Sequence, residues 1–377
     1  MDFSYSEEQQ LLQESVGKFI QQEYSFDQRK ARIKAKGGFG RDTWQTMADM
    51  GLLSIPFSEA DGGFGGSGID MMILMQQFGH GLVVEPFVAT VVLAGGVIQH
   101  GGSDAQKKSL LPKIIDGSLI MAFAHSEPKA RYELNNVSTT AKKDGDGYLL
   151  NGSKCVVMHG DSADKLIVSA RTSGNARDAN GISLFVVDAK AAGVSVRGYP
   201  TIDGLHAAEI SLANVKVGAD ALIGKLDGAL PLIEQVTDIA TAALCAEAVG
   251  AMEALNAATL EYLKTRRQFG VPIGKFQALQ HRMVDMIVNT EQSKSMAILA
   301  AVNAQSGDAK ARRSAVSAAK SYIGKASKFV GQQAIQLHGG MGMTEELSVS
   351  HYFKRLTMID LTLGDTDYHM ERFASAA

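Results

Sequence analysis

The chain of 377 residues has a formal net charge of −3, an apolar share of 45% and a charged share of 20%, the profile of a globular protein longer than one hydrophobic core usually serves. No long basic run is present, which removes the electrostatic footprint that polynucleotide binding requires. The polar, acidic start MDFSYSEEQQ is unlike a secretory leader, and no apolar run approaches the roughly 20 residues of a bilayer span, so a cytoplasmic setting is expected.

Residues 5 to 117 read as helical, because apolar residues such as Leu11, Leu12, Val16 and Phe19 recur at spacings of three and four. The stretch DGGFGGSG from Asp61 to Gly68 reads as a flexible connection, since each glycine lowers helix stability by about 1 kcal/mol. From about Ser118 to Lys225 the pattern becomes short and β-rich, in LIMAFAHS, VSTTAKK, YLLNGSKCVVM, KLIVSAR, ISLFVVD, VSVRGYP and AAEISLANVKV. The DGDG at Asp144 to Gly147 predicts a hairpin, and the whole segment an antiparallel barrel or sandwich. Long helices return after Asp227. The first runs from about Ala229 to Thr265 with Leu232, Val236, Ile239 and Ala243 on one face. A second is marked by Leu279, Met283 and Met286, and a third spans about Ala309 to Leu337, a pattern compatible with four-helix packing. Cys155 and Cys245 are too far apart for a CxxC pair and read as reduced, buried thiols.

Phosphate-loop, nucleophile-elbow and zinc-helix signatures are absent, and the nine scattered histidines do not read as a metal site. Two segments carry more information. YLKTRRQFGVPIGKFQALQ, Tyr262 to Gln280, joins two predicted helices through a Gly and Pro turn and gathers Arg266, Gln268, Phe269 and Gln277. That is either an ordinary helix corner or a guanidinium, aromatic and amide set suited to a pyrophosphate and a planar ring. QLHGGMGMTEE, Gln336 to Glu346, places Gly339, Gly340 and Gly342 between helices. It reads as a C-cap or as exposed backbone N–H groups for a phosphate or adenine, with Thr344 a candidate cap of the next helix. AFAHSEP and NGSKCVVMHG, alone, say little beyond strands and turns.

Taken together, the DFxxxEEQ start, the SEP turn, RRQFGxPIxxFQxxQ and QxHGGxGxT resemble the acyl-CoA dehydrogenase family over the whole chain. The resemblance implies a mostly α fold with a central β-barrel: an N-terminal helical domain over 1–117, a β-barrel domain over 118–225 and a C-terminal four-helix bundle over 226–377. It implies FAD-dependent desaturation of an acyl-CoA thioester, electron transfer to an electron-transfer flavoprotein, and assembly into dimers or tetramers. In the family, one subunit's corner and glycine block embrace the nucleotide half of a neighbour's FAD. The matching positions here are Arg266, Gln268, Phe269, Gln277, Gln336, Gly339 and Gly340.

The half that faces the flavin ring departs from the family. Ser126 keeps the hydroxyl of the turn, but the strand reads Val156, Val157, Met158 where the family has Trp, an apolar residue and Thr, and Arg131 and Tyr132 replace the usual GSD. Both family positions for the proton-abstracting carboxylate are vacant. One is Leu363, before Gly364; the other is Ala240, beside Thr241 where the family has Arg. Asp365 is the nearest candidate base and Asp238 the next. This division resembles the small subunits of pimeloyl-CoA-type and steroid side-chain dehydrogenases, in which a related subunit supplies the base. An autonomous homo-oligomer using Asp365, and a non-catalytic scaffold that keeps the fold, are the alternatives.

Overall fold

The computed structural model describes residues 5 to 376, so Asp2 and Phe3 of the DFxxxEEQ motif lie outside the described residues. The chain divides into two compact units built from discontinuous segments: one holds residues up to 31, 67–83 and from 241 onward, the other 32–66 and 84–240.

The helices before the sheet are α1 (Glu7–Glu23), α2 (Phe26–Lys34), α3 (Arg41–Asp49), α4 (Gly68–Gly81), α5 (Gly96–Gly101) and α6 (Asp104–Ile115). Their starts are written locally. Ser6, Ser67 and Ser103 each accept from the third backbone N–H of their helix, and the side chains of Gln9, Asp70 and Gln106 reach back. The glycine-rich connection is tighter than its composition suggests. Gly63, Gly65 and Gly66 donate to the carbonyls of Ser58, Phe57 and Ile55, and a Cβ on Gly63 would lie 2.2 Å from the carbonyl oxygen of Phe57. Those glycines allow backbone to approach backbone. Residues Val88–Gly95 form a π-helical turn with seven buried positions, which periodicity did not reveal.

The second unit contains the sheet. Its strands are β1 (Met121–Ala124), β2 (Thr140–Asp144), β3 (Gly147–Met158), β4 (Lys165–Arg171), β5 (Ile182–Asp188), β6 (Val194–Pro200), β7 (His206–Val217) and β8 (Leu222–Ile223). They are ordered β6-β7-β3-β2-β4-β5-β8, with β1 paired parallel to β4. The expected hairpin is present: Asp144 faces Gly147, with Gly145 at φ 56° in the turn. The expected barrel closure is corrected to an open path, because β6 and β8 end the ladder without pairing to each other. Inward residues Leu150, Val168, Phe185, Val187, Ile210 and Val215 form the core of this sheet.

The later helices are α7 (Leu230–Thr265), α8 (Gln277–Asn303), α9 (Ala309–His338), α10 (Ser348–Leu361) and α11 (Thr366–Ala376). Met283 and Met286 of α8, and Val316, Ile323 and Val330 of α9, are buried as the spacing requires. Among the described residues no helix is long and apolar enough to cross a membrane.

Candidate functional site

The Arg266 corner is not a plain helix-turn-helix. Between α7 and α8 the chain makes a small antiparallel hairpin, β9 (Arg267–Gln268) with β10 (Val271–Pro272). Its two turn residues, Phe269 and Gly270, sit at φ 54° and 80°, the pattern of a primed hairpin turn. Holding a bulky aromatic residue in left-handed backbone is costly, and Phe269 is 91% exposed, so the isolated chain recovers little of that cost by burial. Phe269 meets Phe276 edge-on at 6.1 Å, and Gln277 opens α8 with no side chain capping that helix.

Tyr262 ties this corner to the glycine block. Its ring stacks on His338 at 4.3 Å, one turn before Arg266, whose N–H donates to the Tyr262 carbonyl. His338, the last residue of α9, donates through Nδ1 to the Ala334 carbonyl, and burial holds its imidazole below the usual pKa. Gln336, Gly339 and Gly340 are thereby brought beside the Arg266 corner, and all are exposed. Gly339 has φ 59° and ψ −142°, backbone that essentially only glycine adopts. Gly340 has no such conformational need, and a Cβ there would meet nothing within 4 Å. Packing among the described residues therefore does not require that glycine. Thr344 does not cap α10. Its Oγ1 donates to the Met341 carbonyl, and the N-cap is Leu347.

In the other unit, the Cys155 N–H donates to the Ser126 carbonyl at 2.9 Å, so the SEP turn lies against β3. Val156 occupies a bulge in β3 at φ 50° and is half exposed, while Met158, paired with Ala207, is partly buried and carries no hydroxyl. Arg131 at φ 49° carries its guanidinium over the Tyr132 ring.

Sequence reasoning missed the group that holds these segments together. Lys154 is fully buried, and its Nζ donates to Glu127 Oε1 at 2.7 Å, Ser169 Oγ at 2.9 Å and the His125 carbonyl at 3.2 Å. Glu127 also accepts from the N–H groups of Ser138 and Thr139. Burial pushes the Lys154 pKa down to about 8, against the pull of Glu127. Burial acts to raise Glu127, but the Lys154 charge and those hydrogen bonds bring it below the ordinary carboxylate value. A lysine inside an otherwise alternating strand was the available signal.

The loop at Leu363, where the family resemblance places a base, is also well defined. Leu363 sits at φ 59° and Gly364 at φ 114°, in a loop pinned from beneath. Buried Lys320 donates to the carbonyls of Asp360 and Gly364 at 2.8 and 2.5 Å, and His369 Nε2 lies 3.0 Å from the Leu363 carbonyl. Burial lowers the Lys320 pKa and drives His369 down to about 3. Asp365 Oδ1 accepts from the Tyr368 N–H at 2.9 Å, so the candidate base is the N-terminal cap of α11. Asp238 and Ala240 are buried on α7, in the sheet-containing unit.

The element order, helices, then a sheet, then long helices, is that of a flavin-dependent acyl-thioester oxidoreductase fold. The sequence matches the acyl-CoA dehydrogenase N-terminal domain over residues 6–118, the middle domain over 122–215 and the C-terminal domain over 230–377. The chain belongs to the acyl-CoA dehydrogenase family, FAD-dependent oxidoreductases acting on the CH–CH bond of acyl-CoA. It is 31% identical over 358 residues to acyl-CoA dehydrogenase FadE12 of Mycobacterium tuberculosis, covering 92% of this chain and 90% of that protein. Two solved structures are similar at a TM-score of 0.88. A variant of the Tcur3481-Tcur3483 steroid ACAD is 28% identical and covers 98% of this chain and 97% of its own. The ChsE4-ChsE5 complex from Mycobacterium tuberculosis is 26% identical and covers 100% and 98%.

Proposed function

We propose that this chain is one subunit of a heteromeric acyl-CoA dehydrogenase, of the pimeloyl-CoA or steroid side-chain type, and that it serves an FAD held mainly by a related partner subunit. The observation that carries this reading is the contrast between the two half-sites. The residues that match the family's nucleotide corner are all present and exposed, while Leu363 and Ala240 stand where the family pattern has its carboxylates and Asp365 is engaged as a helix cap.

In this reading the Arg266 fork takes the pyrophosphate, which a guanidinium binds through paired N–H donors. Gln268, Gln277 and Gln336 supply amide donors and acceptors, Phe269 supplies a face for a planar ring, and Gly339 and Gly340 let the nucleotide lie against backbone. Ser126 is the one hydroxyl retained on the ring side, and Met158 offers no hydrogen bond there. FAD, when bound, accepts the hydride in α,β-desaturation of the acyl-CoA thioester. The partner subunit supplies the carboxylate that removes the α-proton, and an electron-transfer flavoprotein accepts the electrons. The names of two similar structures, the ChsE4-ChsE5 complex and the Tcur3481-Tcur3483 steroid ACAD, support a two-component assembly and a bulky acyl group. The three-part division at residues 117 and 225 and a cytoplasmic setting belong to the same reading.

The test is the flavin-to-chain ratio of the protein purified alone and after co-expression with a related dehydrogenase subunit. The expected result is a poorly flavinated, inactive chain alone and a yellow, active complex. A full flavin complement with desaturase turnover from this chain alone would overturn the proposal.

A further inference from the structure

The helical unit contains a cavity of about 300 Å³, of mixed polar and apolar lining, that shares no residue with the proposed FAD surface. Its floor is an ion network: Glu253 Oε2 lies 2.8 Å from His80 Nε2, and Glu253 Oε1 lies 2.7 Å from Lys294 Nζ, which also meets Glu291 at 2.7 Å. Burial acts to raise the Glu253 carboxyl, but its bonds to His80 and Lys294 hold it below the ordinary value. The charges in the floor therefore satisfy one another, and an ionic ligand would have to break them.

The unspent hydrogen-bonding capacity is in the walls. Gln13 of α1 and Gln76 and Gln77 of α4 face the cavity, and their amides are bonded to no other described residue. Gln76 is only 9% exposed, and what solvent access it keeps is through the cavity its side chain lines. Tyr5, Met72 and Ile298 complete the lining with flat and apolar surface. A glutamine amide pairs a donor with an acceptor, and its complement is a reversed donor-acceptor edge, as in a primary amide or the amino and ring-nitrogen edge of a purine. The cavity volume is at the small end of ligand pockets.

We propose that this cavity is a second ligand site, which takes a neutral molecule of nucleobase size presenting an amide or amino-heterocycle edge to Gln13, Gln76 and Gln77. The site is independent of the FAD reading, because the flavin content of the assembled enzyme reports on one and not on the other.

Calorimetry and saturation-transfer NMR on the protein, with its partner subunit where it is needed for solubility, test the site with nicotinamide and adenine as probes. Benzoate and toluene control for charge and shape. The expected result is saturable binding of nicotinamide or adenine, weakened tenfold or more by Gln76→Leu with flavin content unchanged, and no binding of benzoate or toluene. Gln77→Leu, at a half-buried position, gives the same loss without disturbing packing, checked by an unchanged melting curve. Failure of both probes to bind at their solubility limits, binding indifferent to both variants, or equal binding of either control would overturn the proposal.

Discussion

Leu363 and Asp365 show how much one residue's setting decides. A carboxylate at 363 would be presented by a loop that Lys320 and His369 pin through its carbonyls, yet leucine stands there, and the adjacent Asp365 caps α11. Asp365→Asn keeps a capping oxygen and is expected to leave turnover of the assembled enzyme within about twofold, whereas Asp365→Ala is expected to cost about 1 kcal/mol of stability. Steady-state rates and denaturant titrations read the two effects, and abolished turnover in the Asn variant would reinstate Asp365 as the base. Val156 is a β-branched residue in left-handed backbone and is half exposed. Val156→Gly is expected to raise stability by about 1 kcal/mol, because strain is relieved and little burial is lost, while Val157→Ala one position on is expected to lower it by about 2 kcal/mol.

Glu85 gives a pH signature. Its carboxyl is buried, Oε1 accepts from the Gly40 N–H at 3.3 Å and Oε2 has no partner, and burial raises its pKa to about 8. A folded-state pKa above the unfolded value means that the protonated form favours the fold. The contribution is complete below about pH 4.5 and is lost as pH rises through about 8, with a slope of about 1.4 kcal/mol per pH unit between them. Glu85→Gln is expected to flatten the melting temperature between pH 5 and 8, and an unchanged slope would show that Glu85 is not the group responsible. None of this was legible from sequence, since burial is a tertiary property and the carboxyl's backbone donor, Gly40, is distant along the chain.

At the scale of elements, the strands and long helices were legible because alternation and three-four spacing persist over many residues and turn residues separate them. The hairpin β9–β10 was not, because two-residue strands carry no period, and the corner looked like a helix junction. The π-helical turn was hidden because a run that is apolar on all sides has no period to measure. The link between the corner and the glycine block depends on Tyr262 stacking on His338. Tyr262→Ala is expected to weaken FAD binding by the assembled enzyme about tenfold, equivalent to about 1.4 kcal/mol, with the melting curve of the sheet-containing unit unchanged. Fluorescence titration with FAD measures it, and unaltered affinity would show that the two blocks act separately.

For the whole molecule, the order of helical, sheet and helical segments and the family were readable from the chain. The open sheet path and the discontinuous make-up of the two compact units were not, because both depend on contacts between residues far apart in sequence. The departures from the family pattern at Leu363, Ala240, Val156 and Met158 were visible in the sequence, and under the proposal they mark the half that would face the flavin ring and the substrate. The most direct measurement is the flavin absorbance per complex when this chain carries Arg266→Ala and its partner subunit is unchanged. Loss of most of the flavin, through FAD binding weakened tenfold or more, is the expected result. A complex that keeps its full flavin complement and turnover would contradict the central claim that the Arg266 surface holds the nucleotide half of FAD.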